Sequence, residues 1–361
     1  MHKILINFFI LIPFFAFSDD SIYLIKDIKV LIENEDIQTA RDKAKKIAFD
    51  EALDLMLKKI ISDADYAKLI SLPKIDLVQL IKEFKIKNEN FRESLYSAEI
   101  DVNFKKDNLN LYIEKNNLKV SNIVSDSFLI LAVHKKLNSY YLWEKNNQWY
   151  KILKNEYDPN NLLNLYFPEQ NYLNKFQISS SDVISENQTK LKEILNFFNK
   201  RSGLIVYFDE SFSTQDETLK SNIIIKEFNR NYINQILIQD STYINKMSKS
   251  SEIDLFAKFA LKELYTWWKN KTSISISEKS KENNFIVYSN FSNLEQSVDL
   301  EKKITSSSLI ISFTPVKISS DSITYQLKSF ADIEKINLSI IPNGIKLIEE
   351  KNNEFFILKI N

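Results

Sequence analysis

The chain has 361 residues, of which 44% are hydrophobic and 12% aromatic, so it can fill the cores of two or three domains. Its 48 Lys and Arg residues balance 48 Asp and Glu residues, and no global charge attracts nucleic acid or an anionic membrane. The absence of cysteine excludes disulfides, thiol nucleophiles and zinc–thiolate sites. Two glycines are too few for glycine-rich nucleotide loops or a GxSxG nucleophile elbow.

The first 18 residues have the pattern of a cleavable export signal. A basic start precedes an apolar run over residues 4–15, and an Ala-Phe-Ser segment follows, which predicts cleavage between Ser18 and Asp19. The run is shorter than the roughly 20 residues that span a bilayer, and no later stretch is long and apolar enough. We therefore expect a periplasmic mature chain without a transmembrane segment. Secretion, or tethering to the inner membrane by an uncleaved signal, are the alternatives.

Residues 19–120 are predicted to form an N-terminal α+β domain. The elements expected are a strand over 23–32, a helix over 37–61, a second helix over 76–86 and a half-buried strand over 96–104. Small residues recur at every fourth position of the first helix and predict close packing on a sheet. These residues are Ala40, Ala44, Ala48 and Ala52.

Residues 121–275 are predicted to form a middle α/β domain that begins with a buried strand over 128–133. A capping box of Ser185 and Gln188 predicts a helix to residue 199, and Gly203 is expected to end it. A strand, a hairpin and a final helix are then expected over residues 204–208, 223–238 and 251–268.

Residues 276–361 are predicted to form a C-terminal domain with the element order β-α-β-β-α-β and one added hairpin strand. This is the order of a ferredoxin-like split βαβ unit. The fold class expected for the whole chain is therefore α+β, with several small mixed domains. The elements expected are strands over 285–291, 309–318, 323–327, 345–348 and 355–358, and helices over 292–304 and 329–340.

Four segments carry a resemblance to a known family. They are Ala-Arg-Asp-Lys-Ala at 40–44 with the helix after it, the alternating strand at 97–104, the apolar strand at 128–131, and residues 328–330 with 345–347. Their burial patterns resemble those of the 2066 family of domains of unknown function, which are exported proteins of Gram-negative bacteria. The resemblance implies a location outside the cytoplasm and an α+β fold. The family has no established activity, so it implies no functional residue.

Residues that could carry catalysis are few. His134 is the single histidine after the signal, so a site of several histidines is excluded and a Ser-His-Asp triad would have to use it. An ordinary polar contact at a strand end is the interpretation that we favour. Asp209 and Glu210 are neighbours on a strand and should point to opposite faces, whereas Glu99 and Asp101 share a face that we expect to be solvated.

Aromatic residues give the strongest lead for a binding site, because aromatic rings stack on sugars and anchor partners. A speculative binding surface lies between residues 140 and 150. Its members are Tyr140, Tyr141, Trp143, Trp149 and Tyr150. Core packing is the alternative that we favour for these rings, and at least one of the adjacent Trp267 and Trp268 should also pack in a core.

The sequence therefore favours a non-enzymatic interaction, scaffold or assembly factor of the cell envelope. It would bind an envelope protein through an exposed sheet edge or the aromatic region, without cofactor, metal or nucleic acid. A peptidoglycan-binding or glycan-binding module is the alternative, and a hydrolase that uses two carboxylates is the third possibility. The oligomeric state stays open.

Overall fold

The computed structural model describes residues 22–69, 77–136, 138–213, 218–244, 249–273, 282–291, 294–307, 309–351 and 353–359. The predicted signal segment, with Ser18 and Asp19, lies outside these residues. The described chain is an α+β protein, as predicted, and its three β-sheets follow one another along the sequence.

The first sheet is antiparallel, has the order β1-β3-β2 and is covered by one long helix. The predicted alanine stripe of this helix, α1, is confirmed, because all four alanines are fully buried. The small side chains let α1 lie close against β1 and β3. The elements are β1 Leu24–Glu33, α1 Ile37–Ile60, α2 Asp63–Leu69, β2 Ile81–Arg92, β3 Leu95–Phe104 and α3 Lys106–Lys115.

The helix predicted over 76–86 is wrong where the structure describes it. A short 3₁₀ turn, Leu77–Gln79, leads into the strand β2, which pairs along its length with β3. The apolar spacing of this segment also fits a helix, but β3 needs a partner on its second edge, and Ile86 lies opposite Ile100 there.

The middle sheet has the strand order β5-β4-β7-β8-β9, with β6 paired to the start of β4. β4 and β7 are parallel, and the β7-β8 and β8-β9 pairs are antiparallel. The strands are β4 Phe128–Lys136, β5 Ser139–Tyr141, β6 Leu165–Tyr166, β7 Ser202–Ser213, β8 Thr218–Asn229 and β9 Ile233–Ile244. The helices are α4 Gln148–Glu156, α5 Tyr172–Gln177, α6 Ser180–Ile184, α7 Gln188–Phe197 and α8 Lys249–Thr272.

Both faces of β4 are buried, as the apolar run predicted. Phe128, Ile130 and Ala132 face the core on the side of α4 and α8. Leu129, Leu131 and Val133 face a second core, which α6 and α7 cover. Helices on both faces explain why the strand is a continuous apolar run rather than an alternating one.

The ends of α7 differ from the prediction. Asn187, rather than Ser185, caps the start, because its side chain accepts the Lys190 N–H at 3.2 Å. Asn199, rather than Gly203, ends the helix in the left-handed region at φ 50°, and the Lys200 N–H reaches the Leu195 carbonyl at 2.8 Å. This is a Schellman motif in which asparagine takes the usual place of glycine.

The C-terminal sheet has the predicted element order β-α-β-β-α-β with an added hairpin strand. The strand order is β11-β12-β10-β14-β13, and β14, the added strand, lies between β10 and β13 and runs parallel to β10. The strands are β10 Asn283–Asn290, β11 Ile310–Ile318, β12 Ser322–Ser329, β13 Ile345–Lys351 and β14 Glu354–Lys359. The helices are α9 Leu294–Thr305 and α10 Ile333–Ile340.

Helix α8 connects the first two sheets. Trp268 is 2% exposed and its Nε1 donates to the Ile123 carbonyl at 2.8 Å, which confirms that one of the paired tryptophans packs in a core. At the next residue, Lys269 Nζ donates at 3.0 Å to the carbonyl of Lys58, which lies in the last turn of α1. One apolar core runs through all three sheets. The domain boundaries near residues 120 and 275 stay predictions.

Candidate functional site

Three of the five aromatic residues predicted as a binding surface are core residues. Trp143, Trp149 and Tyr150 are at most 5% exposed. Trp143 Nε1 donates to the Ile178 carbonyl at 2.8 Å, and Trp149 Nε1 donates to the Val206 carbonyl at 2.9 Å. Buried indole N–H groups with backbone acceptors are typical of structural tryptophans. These rings cannot stack on a ligand at the surface.

Of the five residues of the predicted surface, only Tyr140 and Tyr141 are not core residues. Both lie on the short edge strand β5, which pairs with the end of β4. Tyr140 is 42% exposed, whereas Tyr141 is half-buried with its ring centroid 6.2 Å from that of His134. A glycan-stacking platform of five rings is therefore not formed.

His134 is closed off from solvent. It is 1% exposed, and its ring packs 5.5 Å from that of Phe208. A triad histidine must reach a substrate and its leaving group, so this position does not serve a Ser-His-Asp mechanism.

Asp209 of β7 forms an ion pair with Lys135, the residue opposite it on the parallel strand β4. Its Oδ2 accepts from Lys135 Nζ at 2.7 Å and from the Tyr207 hydroxyl at 3.3 Å. Burial, together with the charge of Asp209, raises the pKa of Tyr207. The side chain of Glu210 lies outside the described part, so the predicted opposition of the two carboxylates stays a prediction.

Glu99 and Asp101 share the half-buried outer face of β3, as expected, and both are engaged locally. Asn88 Nδ2 donates to Glu99 at 2.6 Å, and Lys87 Nζ lies 2.8 Å from Asp101. Partial burial acts to raise the pKa of Asp101, but hydrogen bonds from Lys87 and from the Asp27 N–H outweigh it and lower that pKa. A carboxyl that is more acidic than usual is unsuited to the role of general acid.

Helix α5 has an inverted distribution of side chains, and this is the most unusual surface of the described chain. Tyr172 is 80% exposed, Leu173 70% and Phe176 83%. At 100° per residue these three side chains lie within a 100° sector of the helix. The polar Asn174, by contrast, is only 3% exposed. Helices of globular proteins normally bury the apolar side and expose the polar one.

Polar contacts hold α5 in this orientation. The Asn171 side chain caps the helix by accepting the Asn174 N–H at 3.0 Å, and Asn174 Nδ2 donates to the Glu169 carbonyl at 2.6 Å. Lys175 Nζ binds Glu144 at 2.9 Å, and Ile178, just after the helix, is 1% exposed. Because these contacts fix the buried side, the three apolar residues are presented to solvent. We call Tyr172, Leu173 and Phe176 the α5 patch.

The elements that contact α5 carry a further exposed ring and charges of both signs. Helix α7 packs against α5 and carries Phe197, which is 50% exposed and contacts Phe198 edge to face. Lys175 of α5 pairs with Glu144, which lies between β5 and α4, and the pair Lys190–Glu193, at 2.8 Å, lies on α7. An apolar centre with a mixed-charge rim is the composition of a protein-binding surface.

Sequence reasoning missed the α5 patch. The order Tyr-Leu-Asn-Lys-Phe places apolar residues on one helical side, and such a side is normally assigned to the core. The one local signal is the capping residue Asn171, which predicts the start of a helix but not which side will be buried.

Among the described residues, no group of three or more His, Asp or Glu side chains could hold a metal ion. No described helix combines the length and the apolar character that crossing a bilayer requires. A scan of protein-family models and a search of curated proteins both gave no match to the chain.

Proposed function

We propose that this chain is an exported, non-enzymatic interaction protein of the cell envelope, and that it binds an envelope protein through the α5 patch. The observation that carries the proposal is the exposure of 70–83% for three large apolar side chains on one six-residue helix. Together they present roughly 400 Å² of apolar surface, which is as large as the largest patch of an ordinary monomer and comparable to the buried centre of an interface.

The charges around the patch favour a protein partner over a bilayer. A helix that lies on a membrane combines an apolar side with Lys and Arg on its polar side. On α5 the single lysine, Lys175, is already paired with Glu144. Helix α7 has two lysines, of which Lys190 is paired with Glu193 and Lys192 adds one positive charge. The rim therefore supplies little net attraction to anionic lipid, whereas Tyr and Phe at the centre of a patch are frequent interface anchors.

The compartment is supported by the export signal, and the absence of enzymatic activity by the roles of the candidate side chains. The Ala-Phe-Ser segment before Asp19 has the pattern of a signal-peptidase site. His134 is buried, and Asp101 and Asp209 are engaged with lysines. The resemblance to the 2066 family of exported domains agrees with this proposal.

Site-specific photo-crosslinking tests the partner. A photoreactive residue in place of Leu173 should form a covalent adduct with one envelope protein in intact cells. The adduct identifies the partner, which is then purified for calorimetry. Tyr172→Ala and Phe176→Ala should each weaken binding by about tenfold or more, which corresponds to about 1.4 kcal/mol or more per side chain.

The matched control is Leu255→Ala, because Leu255 is 64% exposed on α8 and lies outside the patch. It should leave the dissociation constant unchanged. Equal effects of the three variants would contradict the proposal. So would binding of the protein to phosphatidylglycerol vesicles that the two α5 variants abolish. Uncut full-length chain in the cytosol would contradict the compartment.

A further inference from the structure

The outer edge of β9 is a long pairing surface. β9 covers Ile233–Ile244, twelve residues and roughly 40 Å of extended chain, and in the described part of the molecule it pairs with β8 alone. Every second residue of an edge strand directs its backbone N–H and C=O away from the sheet. These groups have the spacing of another β-strand and are best satisfied by one.

Lysines, proline or short length mark the other sheet edges, and β9 lacks all three, although bulges interrupt its pairing with β8 at residues 235–237 and 239–242. Charged side chains, proline, bulges and short length protect natural edges. Strand β9 contains no proline and no lysine or arginine, and Asp240 is its single charged residue. The other edges are protected by Lys26 and Lys29 on β1, Lys82, Lys85 and Lys87 on β2, Pro315 and Lys317 on β11, Lys346 and Lys351 on β13, and a length of three residues in β5.

A second copy of the chain satisfies this edge without leaving a new one. Two β9 strands that pair antiparallel about a two-fold axis use up both edges, and the assembly closes at two subunits. With one acidic residue in each strand, little charge repulsion opposes the pairing. The chain as a whole has a formal net charge of +0, so two copies also do not repel each other at long range.

We propose that the protein is a homodimer in which the β9 edges of two copies pair antiparallel and join the two middle sheets into one continuous sheet. This proposal does not depend on the α5 patch, since the two surfaces belong to different elements. The dimer would present two copies of the α5 patch, and a partner that has two binding sites would then bind with increased avidity.

Sedimentation of the purified protein tests the dimer. At about 10 µM the wild-type protein should sediment at twice the chain mass. The double variant Gln235→Lys with Gln239→Lys introduces on β9 the lysines that the other edges carry, and it places four added positive charges in the paired ladder. We expect it to weaken dimerisation by at least tenfold.

The matched control is Ser312→Lys with Thr314→Lys, which adds the same charge to the edge strand β11. It should remain a dimer, and circular dichroism should show native folding for both variants. A wild-type monomer at 100 µM would overturn the proposal, as would an equal effect of the two double variants. A dimer that withstands the β9 lysines would mean that another surface holds it together, and would also overturn the proposal. If the β9 variant misfolds, hydrogen exchange of the β9 backbone amides in the wild-type protein, measured at several protein concentrations, tests the proposal instead. Protection of these amides that does not depend on the protein concentration would refute the pairing.

Discussion

Gly203 is a position at which adding one methyl group should lower the stability of the fold. It lies in β7 between Leu129 of β4 and Phe228 of β8. A Cβ at Gly203 would meet Phe228 Cζ at 2.3 Å, Phe228 Cε1 at 2.4 Å and the Leu129 carbonyl oxygen at 2.9 Å. The Phe228 ring is fully buried and the carbonyl belongs to a paired strand. Neither neighbour can move away without disturbing the sheet or the core.

The expected cost follows from two opposing effects. Replacing a strand glycine with alanine normally stabilises a protein by roughly 0.5–1 kcal/mol, because the unfolded chain loses freedom. Overpacking of a buried site costs about 1–3 kcal/mol, and contacts this short place Gly203→Ala at the upper end. We therefore expect the free energy of unfolding to fall by about 2 kcal/mol, measured from urea unfolding followed by circular dichroism.

A second substitution tests the cause. Phe228→Leu shortens the side chain that a Cβ at Gly203 would meet and should cost about 1–2 kcal/mol alone. The double variant should be more stable than the sum of the two single effects by about 1 kcal/mol or more, because the clash is gone. Additive effects, or a Gly203→Ala variant as stable as the wild-type protein, would refute the packing argument.

Three further outcomes are expected. Burial lowers the pKa of Lys59 from 10.5 to about 8, so between these pH values the unfolded chain binds more protons than the folded protein. The free energy of unfolding of the protein should therefore rise with pH by up to about 3 kcal/mol across that window. A Lys59→Met variant whose stability depends on pH in the same way as that of the wild-type protein would contradict this. Ser94 has φ 69° in the β2-β3 turn, so Ser94→Gly should stabilise the protein by roughly 0.5–1 kcal/mol, and a lower melting temperature would count against this. Asn147 is fully buried, and its Nδ2 donates to the Ala132 carbonyl at 2.9 Å. Asn147→Asp would turn a carboxylate oxygen toward that carbonyl and should lower the free energy of unfolding, measured in urea, by about 3 kcal/mol. Asn187→Asp also loses an Nδ2 hydrogen bond, to Asp182, but in an exposed place, so it should cost about 1 kcal/mol or less.

The C-terminal unit shows how far local pattern can predict a fold. Its strands alternate buried and half-exposed residues, as in β12, and Asp332 caps α10 by accepting the Lys335 N–H at 2.9 Å. These signals belong to neighbouring residues, so the sequence contains them in full. The parallel position of β14 beside β10 is not local, because it depends on which edge the last hairpin finds.

The errors arise where tertiary contacts or unusual turn residues decide the outcome. Residues 81–86 were expected to be helical because their apolar spacing suits a helix, and pairing with β3 makes them a strand. Gly203 was expected to end α7 because glycine is the usual residue after a helix. In this glycine-poor chain asparagine and glutamate take left-handed conformations instead, at Asn117, Glu186 and Asn199.

The α5 patch lies beyond the reach of single-sequence reasoning for a different reason. The spacing of Tyr172, Leu173 and Phe176 shows that they share a side of a helix, but it does not show whether that side is inside or outside. The contacts of Asn174 and Lys175 decide this, and Glu144, the partner of Lys175, is 31 residues away and becomes its neighbour only after folding.

The position of α8 has a consequence for the order in which the protein can assemble. Its contacts close very long loops: Lys269 reaches Lys58 across 211 residues, and Thr272 reaches Ser121 across 151. Closing loops of this length is entropically costly, and such contacts form slowly. The last turns of α1 therefore complete their contacts only with a segment that is synthesised much later. Until residue 272 has been synthesised, the early part of the chain exposes apolar surface that α8 later covers. This is the interval in which the chain is most prone to aggregate and in which a chaperone would bind it.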